Sequence, residues 1–76
     1  MYDYSKLIGL IVEKYGTRDA FAKSIGWTKS KLSSRLTCTT HFKQDEIDMI
    51  CSTLGIPASK IVSFFYTKKV AILATT

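Results

Sequence analysis

Three glycines divide the first 55 residues of this chain and restrict it to short helices. Gly16, Gly26 and Gly55 each follow a run in which apolar residues recur at steps of three and four, which is the spacing of one face of an α-helix. Glycine is also the residue that most readily ends a helix in a left-handed conformation. The sequence therefore predicts an all-α fold of short helices with short connections.

Five helices follow from this pattern. The first is expected over about Ser5 to Tyr15, and either Asp3 or Ser5 is expected to cap its start. The inward-facing residues are expected to be Tyr4, Leu7, Ile8, Ile11, Val12 and Tyr15 in the first helix, Ala20, Phe21, Ala22 and Ile25 in the second, Leu32 and Leu36 in the third, Ile47, Ile50, Cys51 and Leu54 in the fourth, and Ile61, Phe64 and Phe65 in the fifth. Leu10 lies off the first stripe and is a candidate for exposure or for contact with a partner. Pro57 is well placed to open the fifth helix.

A chain of 76 residues has room for one domain, expected over residues 1–68. Residues 69–76 form an apolar tail rich in β-forming residues, for which a short strand, a docked segment and a dimerisation segment are all open interpretations. No apolar run approaches the roughly 18 residues of a membrane span, and no signal peptide is recognisable. We therefore expect a cytoplasmic protein with no membrane partner.

The sequence lacks the parts of an enzyme or a metal site. Cys38 and Cys51 are expected to be free thiols, the second buried and the first partly exposed. His41 is the single histidine, and no nucleophile is paired with a base and no metal-ligand set is present. Asp45, Glu46 and Asp48 are interpreted as a charge cluster at a helix N-terminus. We expect no enzymatic activity, no cofactor and no metal.

All of the excess positive charge lies in one third of the chain. The formal net charge is +5, and residues 18–43 alone carry +5, with Asp19 as their single acidic residue. The basic residues of this window are Arg18, Lys23, Lys29, Lys31, Arg35 and Lys43. A local basic block indicates a polyanionic partner, although a solvated basic surface would have the same composition.

The same window has the anatomy of a helix-turn-helix. Residues 17–36 read TRDAFAKSIGWTKSKLSSRL, in which Thr17 and Thr28 are good N-caps. Ala22 is small where two helices would cross, and Gly26 permits the left-handed turn between them. The outer face of the second helix of the pair would then be free to enter a DNA major groove. An ordinary hairpin of two helices is the alternative interpretation.

Residues 17–36 resemble the helix-turn-helix of Cro and lambda-repressor-like phage regulators. The chain from residue 2 to about 68 is similar to short Cro-like proteins of Gram-positive phages and prophages, whose five-helix order agrees with the pattern described above. Two positions depart from the family. Arg18 stands where glutamine is common, and Arg35 stands where many relatives have an apolar residue, so that Leu36 is expected to take over the packing.

The resemblance implies contacts to base edges by Lys29, Ser30 and Ser34, with Ser33 facing the groove as well. Contacts to DNA phosphates are expected from Thr28, Arg18, Lys31, Arg35, Thr37 and Lys43. Lys23 is expected to point to solvent, and Trp27 is expected to pack rather than to stack on a base.

The implied function is that of a Cro-like transcriptional repressor that binds double-stranded operator DNA, expected to act as a homodimer at least on DNA. The alternative is an anti-repressor that acts by binding a partner repressor protein. The operator sequence, the direction of regulation, the dimer surface and any redox role of Cys38 stay open.

Overall fold

The computed structural model describes residues 2–68, and they form five α-helices. These are α1 (Ser5–Tyr15), α2 (Arg18–Ser24), α3 (Lys29–Leu36), α4 (Gln44–Leu54) and α5 (Ile61–Phe65), with a 3-10 turn at Ala58–Lys60. The predicted all-α, five-helix fold class is confirmed. Within residues 2–68 the extended pairing consists of one isolated antiparallel bridge between Tyr2 and Lys68. The predictions for the tail, 69–76, lie outside the described residues.

Short-range chemistry sets where the first helices begin and end. The N-cap of α1 is Tyr4, which makes no side-chain capping hydrogen bond, so that neither Asp3 nor Ser5 is the N-cap that the sequence predicts. The Asp3 carboxylate instead accepts hydrogen bonds from the backbone N–H and the hydroxyl of Ser5, the first residue of the helix, at 2.9 and 2.6 Å. Gly16 ends that helix with φ of 83°. The hydroxyl oxygen of Thr17 then accepts the backbone N–H of Ala20 at 3.0 Å, which fixes the start of α2 as predicted.

The core lies where the inner faces of the helices meet. The largest fully buried side chains are Phe21, Phe65, Leu7, Ile11, Leu32, Ile50 and Leu54. Phe42, in the loop before α4, is half-buried and stands edge-on to both Tyr4 and Phe65, with ring centroids 5.2 and 5.3 Å apart. Edge-to-face rings of this kind stabilise a core beyond the area they bury, and here they join the start of α1, the loop and α5.

Two predicted features of the helix faces and one helix boundary are wrong. Val12 is 44% exposed, because Leu7 and Ile11 form the centre of the inner stripe and Val12 lies one residue beyond it. Leu10, predicted to lie off the stripe, is half-buried and packs against the core. Pro57 has extended backbone and precedes the 3-10 turn, so that α5 begins at Ile61.

No single helix among the described residues is long and apolar enough to cross a membrane. By length and composition alone, α4 and the segment Ala58–Phe65 would meet that requirement as a pair, but the pair is bent by 115°.

Candidate nucleic-acid interface

The turn between α2 and α3 is built by Gly26. The Ile25 N–H is shared between the carbonyls of Phe21 and Ala22, at 3.2 Å each, and the Trp27 N–H donates to the Ala22 carbonyl at 2.8 Å. Gly26 has φ of 75°, a conformation that costs L-residues energy and costs glycine little. Ala22 is fully buried, as the helix-turn-helix interpretation requires.

Thr28 starts α3 immediately after this turn. Its hydroxyl oxygen accepts the Lys31 backbone N–H at 3.1 Å, which satisfies one of the unpaired donors of the first turn. The hydroxyl proton of Thr28 stays available for an acceptor outside the protein. Lys29 and Ser30, which follow, are both exposed.

Leu32 and Leu36 hold α3 on the core, and both are buried. Beside this buried stripe, Lys29, Ser30 and Ser33 are all exposed. Ser34 is half-buried, and its hydroxyl donates to the Ser30 carbonyl at 2.9 Å. The Ser34 oxygen is therefore placed to accept a hydrogen bond rather than to donate one. One cation and three hydroxyl groups thus line the outer side of α3.

Arg18, the first residue of α2, lies beside this face. A surface concavity of about 160 Å³ is lined by Arg18, Lys29, Leu32 and Ser33. Both Arg18 and Lys29 are exposed, and neither has a carboxylate partner within residues 2–68. The two positive charges therefore border one depression that the core residue Leu32 also lines.

Arg35 occupies a different environment from the one predicted. Its guanidinium binds the Glu46 carboxylate of α4 through two hydrogen bonds, Nε to Oε1 at 3.2 Å and Nη2 to Oε2 at 3.0 Å. The Arg35 side chain is only 11% exposed. In this conformation Arg35 is a packing and ion-pair residue and does not present its charge to a phosphate, which corrects the role expected from the sequence.

Lys31 is drawn to the same carboxylate. Its Nζ lies 3.7 Å from Glu46 Oε2 and 4.5 Å from the ring centroid of Trp27. The Arg35 guanidinium also lies over this ring, at 5.6 Å. Trp27 is half-buried and packs against the core, as predicted. Its ring contacts both of the cations that bind Glu46.

Glu46 is the buried charged residue of the described region. Burial raises the pKa of the Glu46 carboxyl, but hydrogen bonds from the Arg35 side chain and the Lys43 backbone N–H, together with the charges of Arg35 and Lys31, outweigh it. The pKa therefore lies below its usual value, and Glu46 is ionised at neutral pH. Glu46 lies with Asp45 in the first turn of α4, as predicted, and accepts the Lys43 backbone N–H there. Its carboxylate also binds Arg35 of α3, whereas Asp45 and Asp48 are exposed.

The remaining predicted phosphate contacts lie around the end of α3. Thr37 is exposed and follows the helix, and its hydroxyl donates to the Ser33 carbonyl at 2.9 Å, so that it must turn before it donates to a phosphate. Lys43 is exposed at the start of α4. Lys23, predicted to face solvent, is exposed and lies 3.7 Å from Asp19.

Cys38 and Cys51 are both free thiols. Cys38 is half-buried with φ of 65°, and its Sγ donates to the Tyr2 carbonyl at 3.3 Å. Cys51 is buried, and burial followed by the charge of Asp48 raises the pKa of its thiol. Among the described residues, no three side chains of the metal-binding types are grouped.

Comparison with known proteins identifies a family. A family model described as "Protein of unknown function (DUF739)" matches residues 1–68, which includes all five helices. No curated protein matches the chain.

Proposed function

We propose that this chain, which belongs to the DUF739 family, is a phage-type transcriptional regulator that binds operator DNA through α3. One observation carries the proposal. The outer face of α3 presents Lys29 with Ser30 and Ser33 beside the exposed Arg18, while the buried Leu32 and Leu36 pack the helix on the core. A helix with a polar, cationic outer face has the dimensions and chemistry to enter a major groove.

Sequence recognition is assigned to the outer face of α3. The Lys29 ammonium donates to guanine O6 and N7, the commonest specific contact of a basic side chain. Ser30 and Ser33 donate or accept at neighbouring base edges, whereas Ser34 accepts, because its proton is held by the Ser30 carbonyl. A row of hydroxyl groups discriminates bases less sharply than amide or guanidinium side chains, so that Lys29 is expected to dominate the specificity.

Orientation on the duplex is assigned to contacts with the phosphate backbone. Arg18 and Lys43 carry exposed charges without a carboxylate partner among the described residues. Thr28 and the first backbone N–H groups of α3 add donors at a positive helix end. Each phosphate that a cation neutralises steepens the dependence of log K on log salt by about 0.9.

A domain of this size reaches one half-site, so that we propose a homodimer on an operator with two half-sites about one helical turn apart. Linking two such contacts raises the overall affinity by far more than either contact alone. The activity is assigned to the cytoplasm of the host cell, where the DNA lies. The dimer surface and the role of 69–76 remain predictions.

A protein-binding role as an anti-repressor is the second candidate. Its support is the exposed apolar surface at α5, where Val62 is 67% and Tyr66 is 45% exposed. An anti-repressor would bind a partner repressor tightly and DNA weakly, with a shallow salt dependence.

Titration against the DNA upstream of its own gene, beside a scrambled duplex, at two salt concentrations separates the two candidates. Lys29→Ala with Ser30→Ala is the test variant. Lys60→Ala with Ser59→Ala is the matched control, because it removes an exposed lysine and serine from the 3-10 turn. Tight, salt-steep, sequence-dependent binding that only the test variant loses supports the regulator. Weak and equal binding to both duplexes contradicts it and favours the anti-repressor.

A further inference from the structure

The three cations of α3 are divided between two surroundings. Lys29 lies on the outer face beside Arg18, whereas Lys31 and Arg35, four residues apart, both contact the Glu46 carboxylate of α4. Glu46 lies outside the helix-turn-helix, 11 residues beyond Arg35. A single residue of another helix thus contacts two of the three cations of α3.

The contact between Arg35 and Glu46 is the stronger of the two. It is bidentate, and both side chains are about nine-tenths buried. Two parallel N–H to oxygen bonds between ionised groups are about twice as strong as neutral hydrogen bonds. The fork also fixes the direction of the Arg35 side chain. Swinging the guanidinium outward would break both bonds and leave the Glu46 carboxylate buried without it.

The contact between Lys31 and Glu46 is longer, and the Lys31 side chain is 41% exposed. An isolated exposed ion pair contributes little. Here the ammonium has a second attraction, the face of the Trp27 ring at 4.5 Å, since an aromatic face attracts a cation electrostatically. The two attractions act from neighbouring groups and hold the ammonium on the α4 side of α3.

We propose that Glu46 is a specificity-determining positioning residue: by binding Lys31 and Arg35 it withholds two of the three positive charges of α3 from the DNA backbone. This inference rests on the DNA-binding function proposed above. Phosphate contacts add affinity for any sequence, whereas base contacts discriminate between sequences. Withholding the flanking charges leaves Lys29 and the serine hydroxyl groups as the main contacts of the helix.

The effect is expected to be larger on random DNA than on the operator. On the operator, the base contacts fix α3 in one register, and the flanking charges reach only the phosphates which that register offers. On random DNA the protein is free to take the register with the most phosphate contacts. Released charges therefore increase binding to random DNA more, and the ratio between operator and random affinity falls.

Glu46→Gln tests this on the full chain, with Asp48→Asn as the matched control. Both variants remove one negative charge from α4, but Asp48 is exposed and contacts neither Lys31 nor Arg35. Glu46→Gln is expected to bind a random duplex roughly 3- to 10-fold more tightly, with a salt slope steeper by about 0.9 to 1.8. Asp48→Asn is expected to leave both values unchanged. A Glu46→Gln protein that binds both duplexes more weakly with an unchanged slope overturns the inference, because a merely structural role predicts that result.

Two lysine variants test the same inference even if Glu46→Gln fails to fold. Lys43→Ala, at an exposed lysine assigned to a phosphate, is expected to lower the salt slope by about 0.9, whereas Lys31→Ala is expected to leave it unchanged, because its ammonium faces Glu46. A slope that falls equally in both variants overturns the inference and leaves the proposed function standing. A wild-type protein without salt-dependent DNA binding overturns the proposed function, and the inference falls with it.

Discussion

Basic residues lie on two sides of α3, but their charges are exposed on one side and paired with a carboxylate on the other. On the outer side, Lys29 stands exposed next to Arg18, and neither has a carboxylate partner within residues 2–68. On the side that faces α4, Lys31 and Arg35 are bound by Glu46. The difference shows that the number of basic residues in a helix does not measure the charge that it offers to a partner.

The difference between the two sides comes from α4, which supplies the Glu46 carboxylate. A cation on a surface keeps its hydration and remains available to an anionic ligand. A cation in a bidentate pair with a buried carboxylate belongs to the core of the protein. Removing either member leaves the other buried and unpaired, which lowers the stability of the fold. Variants of the two sides are therefore expected to separate stability from DNA binding.

The largest expected effect is on stability, from Arg35→Ala. This change leaves the Glu46 carboxylate buried without its guanidinium partner and is expected to lower the free energy of unfolding by about 3–5 kcal/mol. Lys29→Ala, on the exposed side, is expected to change it by less than about 0.5 kcal/mol. Urea denaturation of the two variants measures both values. Equal losses would show that the two sides of α3 do not differ as described.

Replacing the pair together sharpens the same comparison. Arg35→Met combined with Glu46→Leu removes both charges, so that no buried charge is left unpaired. We expect its stability to lie within about 2 kcal/mol of the wild type, because apolar replacement of a buried ion pair is often neutral or stabilising. A double variant as unstable as Arg35→Ala would mean that packing, rather than the unpaired carboxylate, causes the loss.

The next largest effect is expected from the N-cap threonines of α3 and α2. Thr28→Ala and Thr17→Ala each remove a hydroxyl that accepts a backbone N–H of the first helical turn, and each is expected to cost about 1 kcal/mol of stability. Only Thr28→Ala is expected to weaken DNA binding as well. Thermal unfolding and duplex titration measure the two quantities separately. Equal weakening of DNA binding by both variants would count against the assignment of Thr28 to a phosphate.

The smallest expected effect is the loss of stability in acid that comes from the Arg35–Glu46 pair. The folded protein holds the pKa of Glu46 below its usual value, so that the pair adds stability above the unfolded pKa of about 4.3. This stability is lost as the pH falls through the lower, folded pKa. The difference in urea midpoint between the wild type and the Arg35→Met, Glu46→Leu variant should change in this acid range. A difference that stays constant from pH 7 to pH 2 would contradict the ion pair.

Local features of the fold could be predicted because their causes are local. Gly16 and Gly26 end helices, and Thr17 and Thr28 start them, through hydrogen bonds that span a few residues. The apolar spacing likewise identified most of the buried stripe in each helix. The start of α5 was missed because Pro57 permits both a helix start and an extended residue before a 3-10 turn.

The paired side of α3 could not be predicted from the sequence. Arg35 and Glu46 lie on different helices, and only the packing of α3 against α4 brings them together. The sequence therefore predicts a phosphate contact for Arg35 and places Glu46 correctly at the start of α4, but it does not predict that the two side chains pair. The spacing of Arg35, three residues after the core residue Leu32, was the available signal, since a charged side chain close to the buried stripe of a helix is expected to need a partner.

The central claim is that the outer face of α3 contacts DNA. The most direct test is a titration of the ¹⁵N-labelled protein with the duplex from upstream of its own gene, followed amide by amide by NMR. We predict that the perturbed amides cluster at Arg18 and at residues 28–34, and that α5 is largely unaffected within one protomer. Perturbations confined to α5 around Val62 and Tyr66, or none at all at low salt, would contradict the claim.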